Sequence, residues 1–474
     1  MPQSTNGQPM TLEQSPAAMV PPCGPDTTDD YDVVIVGAGF SGLRAACELQ
    51  QRGLHVQVVE ARERVGGRSC AAMLNGRVVD VGGQWLGVDH QRLRALADQA
   101  GATIRAQYTT GDKLIADAGV VRRYRGLIPP VSPLGLLEFS AALARLRRLQ
   151  SRVPADSPWQ AHDAAALDAV TVQQWQARWI RTAGGRRLFD AALRAVLCTE
   201  ASKLSMLGFL HYLSSNRSFE YLVSADDGAQ AHVIEGGMHA LSRHLASQLH
   251  HGVSYETPVL AIEQHANQAT LRLAGGRRLS ARRVIVAMSP LLASRIDMPG
   301  ISVERHALGQ RMPMGSVIKC LVAYRSPFWR ASGLSGEFVG SDSLLSPVFD
   351  ASPADASHGV LVGFIDGARA LRWSADAAAR RRAVIESLVH SHGPQAADPI
   401  DYVDQDWTAE RYSLGCYVGV PTPGTLSSLG TALRAPSGLI HWAGTETAEA
   451  WCGYIEGALQ AGERVAREVA AAMA

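Results

Sequence analysis

YDVVIVGAGFSGLRAACELQQRGLHVQVVE, residues Tyr31 to Glu60, is the stretch from which the fold is read. Val33 to Val36 is a continuous apolar run of strand length, and Gly37, Gly39 and Gly42 follow at the spacing G-x-G-x-x-G. A helical segment from Leu43 to Arg52 closes at Gly53, and His55 to Val59 reads as a second strand ending on Glu60. Each glycine has its own physical reason: Gly37 permits the tight turn, Gly39 lets a pyrophosphate approach the backbone, and Gly42 lets helix and strand pack closely. The start of the helix offers free N–H groups and the positive end of its dipole to the phosphates. Glu60 stands where a ribose diol can donate to it. Strand, glycine turn, helix, strand and acid together predict a dinucleotide site on an α/β fold, which a bare glycine pattern would not.

Outward from this unit, composition narrows the class. The chain has 474 residues, long enough for two domains or for one domain with a large insertion. Hydrophobic residues make up 46% and the formal net charge is +1, so a sizeable core is available and no basic excess points to nucleic acid. Seven cysteines are scattered without a C-x-x-C pair, which signals neither a zinc site nor a disulfide framework, and no metal is expected. The plain reading is a reducing, cytoplasmic compartment. Residues 1–30 are rich in Pro, Ser, Gln and Thr and read as a disordered leader, and no long apolar run of membrane-spanning length occurs.

Directly behind Glu60 comes Ala61-Arg62-Glu63-Arg64-Val65-Gly66-Gly67-Arg68, where the glycines free the backbone for close approach and Arg64 or Arg68 can offset a diphosphate. Val78 to Leu86 is read as a strand running into Gly82, Gly83, Gln84 and Trp85, with a helix from His90 to Gly101. Further on, helical periodicity over Leu136 to Leu149 and Gln173 to Cys198 marks an insertion whose Trp159, Trp175 and Trp179 are assigned to core. Ser205 to Leu213 is a candidate cavity wall. A helix follows Gly236-Gly237-Met238, and Val253 to Glu263 with Arg283 to Ala287 supply strands.

The order GAGFSG (Gly37 to Gly42, with Phe40 and Ser41 inside), EARERVGGR and DVGGQWLG resembles the amino-terminal part of the flavin-containing amine oxidases, the monoamine oxidase family. The chain is similar to a soluble, bacterial-type member. The resemblance implies that the dinucleotide is FAD, with the first segment on its ADP part, the next two around the diphosphate and flavin, and the backbone near Val259 on the adenine side. Met314 to Tyr324 is an apolar strand with one lysine, Lys319. Burying an unpaired ammonium is costly, so on its own this reads as an edge lysine facing solvent. By resemblance it is the active-site lysine that holds a water at flavin N5, with a pKa lowered by desolvation.

Two carboxy-terminal segments, beginning at Trp407 and at Leu439, also look like family motifs. They imply that Tyr417 and Tyr454 are aromatic walls in front of the flavin, whose electron-rich faces orient an amine. Glu446, in the Gly444 to Thr447 motif G-T-E-T, is the implied contact along the ribityl or phosphate chain. Gly453 precedes a helix whose N-terminus would face the pyrimidine side of the flavin. Cys416, in G-C-Y, matches the cysteine that carries the flavin as a thioether in the mitochondrial members. Leu414 and Val418 to Pro421 depart from their flanking sequence, so linked and unlinked FAD both stay open.

The implied fold class is α/β: a discontinuous Rossmann-type FAD-binding domain (31–110, 226–304 and 405–474) with an α+β substrate domain and helical insertion (111–225 and 305–404). The implied reaction is oxidation of an amine at the carbon next to nitrogen, with a hydride passing to flavin N5. The imine hydrolyses to an aldehyde, and O2 takes up the electrons to give H2O2. An amino-acid oxidase of the same fold would want an arginine for the carboxylate, for which Arg194 and Arg217 are candidates. A polyamine oxidase would want acids, and Glu220, Asp226 and Asp227 are available. A flavin-binding interaction protein without catalysis is the reading from another class. The expected partners are an amine and O2, without nucleic acid and without an integral membrane anchor, because the chain stops where membrane-bound relatives continue. The sequence leaves room for a homodimer.

Overall fold

The computed structural model describes residues 29–117, 119–130 and 132–474. The expected leader therefore lies outside the described residues, except for Asp29 and Asp30, which already pair with Leu279 and Ser280. Strand β1, Asp29–Val36, leads into helix α1, Phe40–Gln51, and strand β2, Val56–Val59. The helix begins at Phe40 rather than Leu43, because Gly39 occupies the N-cap and Gly42 falls within the first turn.

β1 runs parallel to β2 on one side and to β3, Arg278–Ala287, on the other. β3 is ten residues long and serves two neighbours along its far edge. Its first residues pair antiparallel with Ala269–Leu273, and Val284 to Ala287 pair in parallel with Ile440–Ala443. Val253–Ser254 and Val259–Gln264 complete this sheet from its two edges. Both faces of β1 are covered, which is why Val33, Val34 and Ile35 form an unbroken buried run instead of alternating with polar residues. One cover is the carboxy-terminal helix, α2, Ile455–Met473, which packs on α1. At Gly462 it approaches so closely that a Cβ would lie 2.5 Å from the Ser41 carbonyl oxygen.

A second seven-stranded sheet stands beside the first. At its heart β4, Val317–Tyr324, is buried at every position and lies antiparallel to Gly359–Asp366 on one side and Asp401–Asp406 on the other. This strand is interior, so the solvent-facing alternative for Lys319 does not hold. The sheet continues through Val348–Asp350, Leu334–Gly340, Asp112–Asp117 and Val120–Tyr124. Over it lies the helical insertion, including Pro133–Gln150, Val172–Trp179, Ala183–Leu197 and Met206–Ser215, packed around Phe189, Phe209 and Phe219.

Two expected elements are divided. The helix expected over Gln173 to Cys198 breaks at Ile180 to Thr182, where Thr182 accepts from the Gly185 N–H at 3.3 Å and Glu138 accepts from the N–H groups of Arg181 and Thr182. These acceptors cap a new helix start while the apolar period runs on, so periodicity alone does not see the break. The strand expected over Val78 to Leu86 is Arg77–Asp80 followed, after the glycine turn, by Trp85–Leu86. Trp175 packs on Phe189 at 6.1 Å in the core, whereas Trp179 is half-buried beneath the Arg145 guanidinium, 4.1 Å from its carbon. Among the described residues no helix is long and apolar enough to cross a membrane.

Candidate active site

A cavity of about 520 Å³ extends from the carboxyl end of β1 to the helical insertion. Gly37 makes its turn at φ +107°, a conformation a side chain would strain, and a Cβ on Gly42 would press into the Gly37 carbonyl. Gly39, by contrast, has open space where its Cβ would be. Gly37, Gly39, Phe40 and Ser41 line the cavity, and α1 starts there with no side chain capping its N–H groups. Glu60 is held at the end of β2 by two backbone donors, Ala38 N–H to Oε2 at 2.8 Å and Arg62 N–H to Oε1 at 3.0 Å. Arg62 in turn donates to Glu410 and to Ser413 Oγ, tying this loop to a segment some 350 residues away. Ala61, Arg62, Gly67, Arg68 and Val259 line the same end.

In the middle, Lys319 on β4 projects into the cavity and is 2% exposed. Its ammonium donates to the Gly82 carbonyl at 2.8 Å and to Gln84 Oε1, with the rings of Trp85 and Phe364 about 6 Å away. Burial pulls its pKa down to about 7, although the Asp80 carboxylate pulls the other way. Gly83 and Trp407 line this stretch, and the Trp407 indole is anchored on the Val81 carbonyl at 2.9 Å. Cys416 lies in the wall next to Tyr417, and burial pushes its thiol up to about 12 against the pull of the Arg68 guanidinium.

Tyr417 and Tyr454 both line the cavity. Phe364 meets Tyr417 edge-on at 6.2 Å, and Tyr212 stacks on Tyr454 at 6.5 Å. Gly444 and Gly453 are in the wall, and α2 begins directly after Tyr454 with no side-chain cap, presenting a second free helix start to the same space. Glu446 is a correction: it does not line the cavity. It is fully buried behind it, bound to Arg68 through contacts of 2.7 and 3.1 Å and to the Gly419 N–H at 3.2 Å. Burial would raise its carboxyl, but the Arg68 charge and hydrogen bonds outweigh that and hold it low. Arg68 also donates to the Tyr417 carbonyl at 2.8 Å, so Glu446 acts on the site by positioning Arg68.

Beyond the tyrosines the wall is built from side chains that carried no motif: Phe139, Leu143, Leu188, Phe219, Leu222 and Phe349. Of Ser205 to Leu213, Tyr212 alone lines the cavity. Arg194 and Arg217 are not in its wall. Arg194 is engaged with Asp366 and Glu200, and Arg217 with Asp89 at 3.0 Å, so neither of these two stands in the wall to take an amino acid's carboxylate. Glu220 lines the cavity, while Asp227 accepts from Ser224 Oγ outside it. Tyr124 and Glu337 also line the cavity and carried no motif; Lys113, which pairs with Glu337 at 2.9 Å, is not in the wall itself.

The cavity fits FAD on its own geometry, because two uncapped helix starts, an open Gly39 and a backbone-held acid converge on one space. A Rossmann-type sheet with this site defines a flavin-dependent oxidoreductase. Residues 40–470 match the family of flavin containing amine oxidoreductases, and the chain belongs to it; it is a flavin-dependent amine-oxidising enzyme. A Dictyostelium discoideum protein named as a probable flavin-containing monoamine oxidase A is 36% identical over 445 residues, 93% of this chain and 97% of that protein. The flavin-containing amine oxidase A of Bos taurus is 33% identical, over 94% of this chain and 86% of its own length. Among solved structures, cyclohexylamine oxidase from Brevibacterium oxydans superimposes with a TM-score of 0.89 at 35% identity, covering 94% of this chain and 99% of that one. A putrescine oxidase bound to putrescine gives 0.88 at 32%, covering 94% and 100%.

Proposed function

We propose that the protein oxidises amines at the carbon bearing nitrogen, releasing an aldehyde after imine hydrolysis and passing the electrons to O2 as H2O2. FAD would be held by the starts of α1 and α2, by Glu60, and by the loop Ala61 to Arg68. When bound, it supplies the two-electron acceptor that takes a hydride from the amine and is reoxidised by oxygen. The chain's own residues do the rest. Tyr417 and Tyr454 offer ring faces that orient the amine, and the apolar wall beyond them keeps water from the reacting carbon. Lys319, held by Gly82 and Gln84, can hold a water and pass a proton near neutral pH. Glu446 keeps Arg68 in place, and Arg68 keeps the Tyr417 backbone in place.

The observation that carries this reading is Lys319, an ammonium on a wholly buried strand that opens onto the same cavity as both tyrosines. The finer proposal is that Cys416, in the wall beside Tyr417, carries the flavin covalently, which flavin retained in acid-precipitated protein would test. Segments 31–110, 226–304 and 405–474 are assigned to the FAD domain, and 111–225 with 305–404 to the substrate domain. The division is supported by the two sheets, which draw almost all their strands from one set or the other. Six free cysteines among the described residues support a reducing cytoplasm. The test is anaerobic mixing of the purified flavoprotein with a panel of amines. Flavin bleaching by an amine, followed by peroxide on admitting air, is the expected outcome; flavin that no amine bleaches would sink the proposal.

A further inference from the structure

Two carboxylates stand in the wall of the substrate end, Glu220 and Glu337, and each already faces a cation of the chain itself. At the rim, Arg147 Nη1 lies 2.6 Å from Glu220 Oε1. Glu337, on the strand Leu334–Gly340, is 9% exposed, and its Oε2 lies 2.9 Å from Lys113 Nζ. Lys113 reaches it from the neighbouring strand Asp112–Asp117 and is itself 5% exposed. The Tyr124 hydroxyl is hydrogen-bonded to the same carboxylate. The exposed Asp226 approaches Lys113 at 3.6 Å from the outer side. Burial pushes the Glu337 carboxyl above its ordinary range, and the Lys113 charge offsets part of that rise.

The ammonium of Lys113 is the same chemical group as the far end of a diamine. A carboxylate in an otherwise apolar arm would reward a second ammonium strongly if it were free, and one already matched has little left to offer. We propose that Lys113 is a built-in counter-charge to the wall carboxylate that the distal ammonium of a diamine would seek, so that the cavity selects amines with one nitrogen and an apolar remainder. This rests on the amine-oxidase reading of the same cavity. Structural similarity does not decide the matter, since a putrescine oxidase and a cyclohexylamine oxidase match the chain about equally, at 32% and 35% identity.

The test compares holoenzyme and its variants on straight-chain monoamines and α,ω-diamines of matched length. Binding without turnover is read with the analogues whose reacting carbon bears two methyl groups and no hydrogen, through perturbation of the flavin spectrum. The wild type should prefer monoamines. Lys113→Met should raise the diamine-to-monoamine ratio at least about tenfold, in kcat/KM and in analogue binding. Glu337→Gln, which leaves Lys113 in place, should move the ratio the opposite way, and the double variant should return it toward the wild type. A purely structural role would weaken both amine classes together. A wild type that takes both classes equally, or a flavin-loaded Lys113→Met with an unmoved ratio, overturns the proposal. If Lys113→Met does not retain flavin, Glu337→Gln decides: a lower ratio supports the proposal and an unchanged one overturns it. If the wild type turns over no amine, the amine-oxidase reading fails, while the binding ratios still judge Lys113.

Discussion

The two ends of the cavity are built by opposite means. At the cofactor end the wall is mainly backbone: the glycine turn after β1, the loop after Glu60, and two helix starts whose N–H groups are left free. At the substrate end the wall is side chains, contributed by helices and strands far apart in the chain. A ligand gripped by backbone needs closeness, which only the smallest residues allow. A ligand enclosed by apolar side chains needs volume, and volume can be redistributed among neighbours. The first end should therefore fail abruptly when altered, and the second should drift.

The largest break is expected at Gly42. In Gly42→Ala the new Cβ meets the Gly37 carbonyl, which is backbone and cannot swing aside. Overpacking of this kind costs about 1–3 kcal/mol, and the flavin-to-protein absorbance ratio of the purified variant should collapse. Full flavin content would show that the backbone end is as forgiving as the other.

Next in size is a dependence on pH at the junction of the two ends. Lys319 releases its proton near pH 7 in the folded protein and at 10.5 ordinarily, so between those values the native state binds fewer protons than the unfolded chain. Stability then rises with pH across that window, and the penalty of burying the charge is fully present below about 7. Lys319→Met should be favoured over the wild type most at the acid side of the window, with the difference shrinking by about 1 kcal/mol per pH unit as pH rises. Asp80, pushed up to about 6 by burial, rises further without Lys319, and a raised carboxyl loses stability with rising pH, so it strengthens the trend. Urea denaturation across pH measures it, and a flat difference would mean that Lys319 keeps its ordinary proton affinity. The smallest effect is expected at the substrate end. Phe219→Leu should change KM for a bulky amine by about threefold, leaving flavin content intact. Loss of flavin in that variant would erase the contrast between the ends.

The unit from Tyr31 to Glu60 was legible because everything it does is local: the turn, the helix and the acid lie within thirty residues and meet through one strand pairing. The carboxy-terminal tyrosines were read from short motifs through the family resemblance, and both line the cavity. Lys319 was half legible. Its apolar strand shows in the sequence, but an edge strand and an interior one read alike until Gly359–Asp366 and Asp401–Asp406 are seen to flank it. Glu446 was read as a ligand contact because the motif says that an acid is needed there and not what it faces. Its partner, Arg68, is 378 residues away. The split helix at Thr182 was hidden because capping by Glu138 comes from another helix. Local sequence thus determined the dinucleotide unit, because backbone conformation and hydrogen bonding within one βαβ unit are short-range, while the flavin and the residue types of its chemistry were read through family motifs. Tertiary structure alone decided burial, the pairing of Lys113 with Glu337 and the walls of the substrate end, because charge balance and enclosed volume depend on which distant segments arrive together.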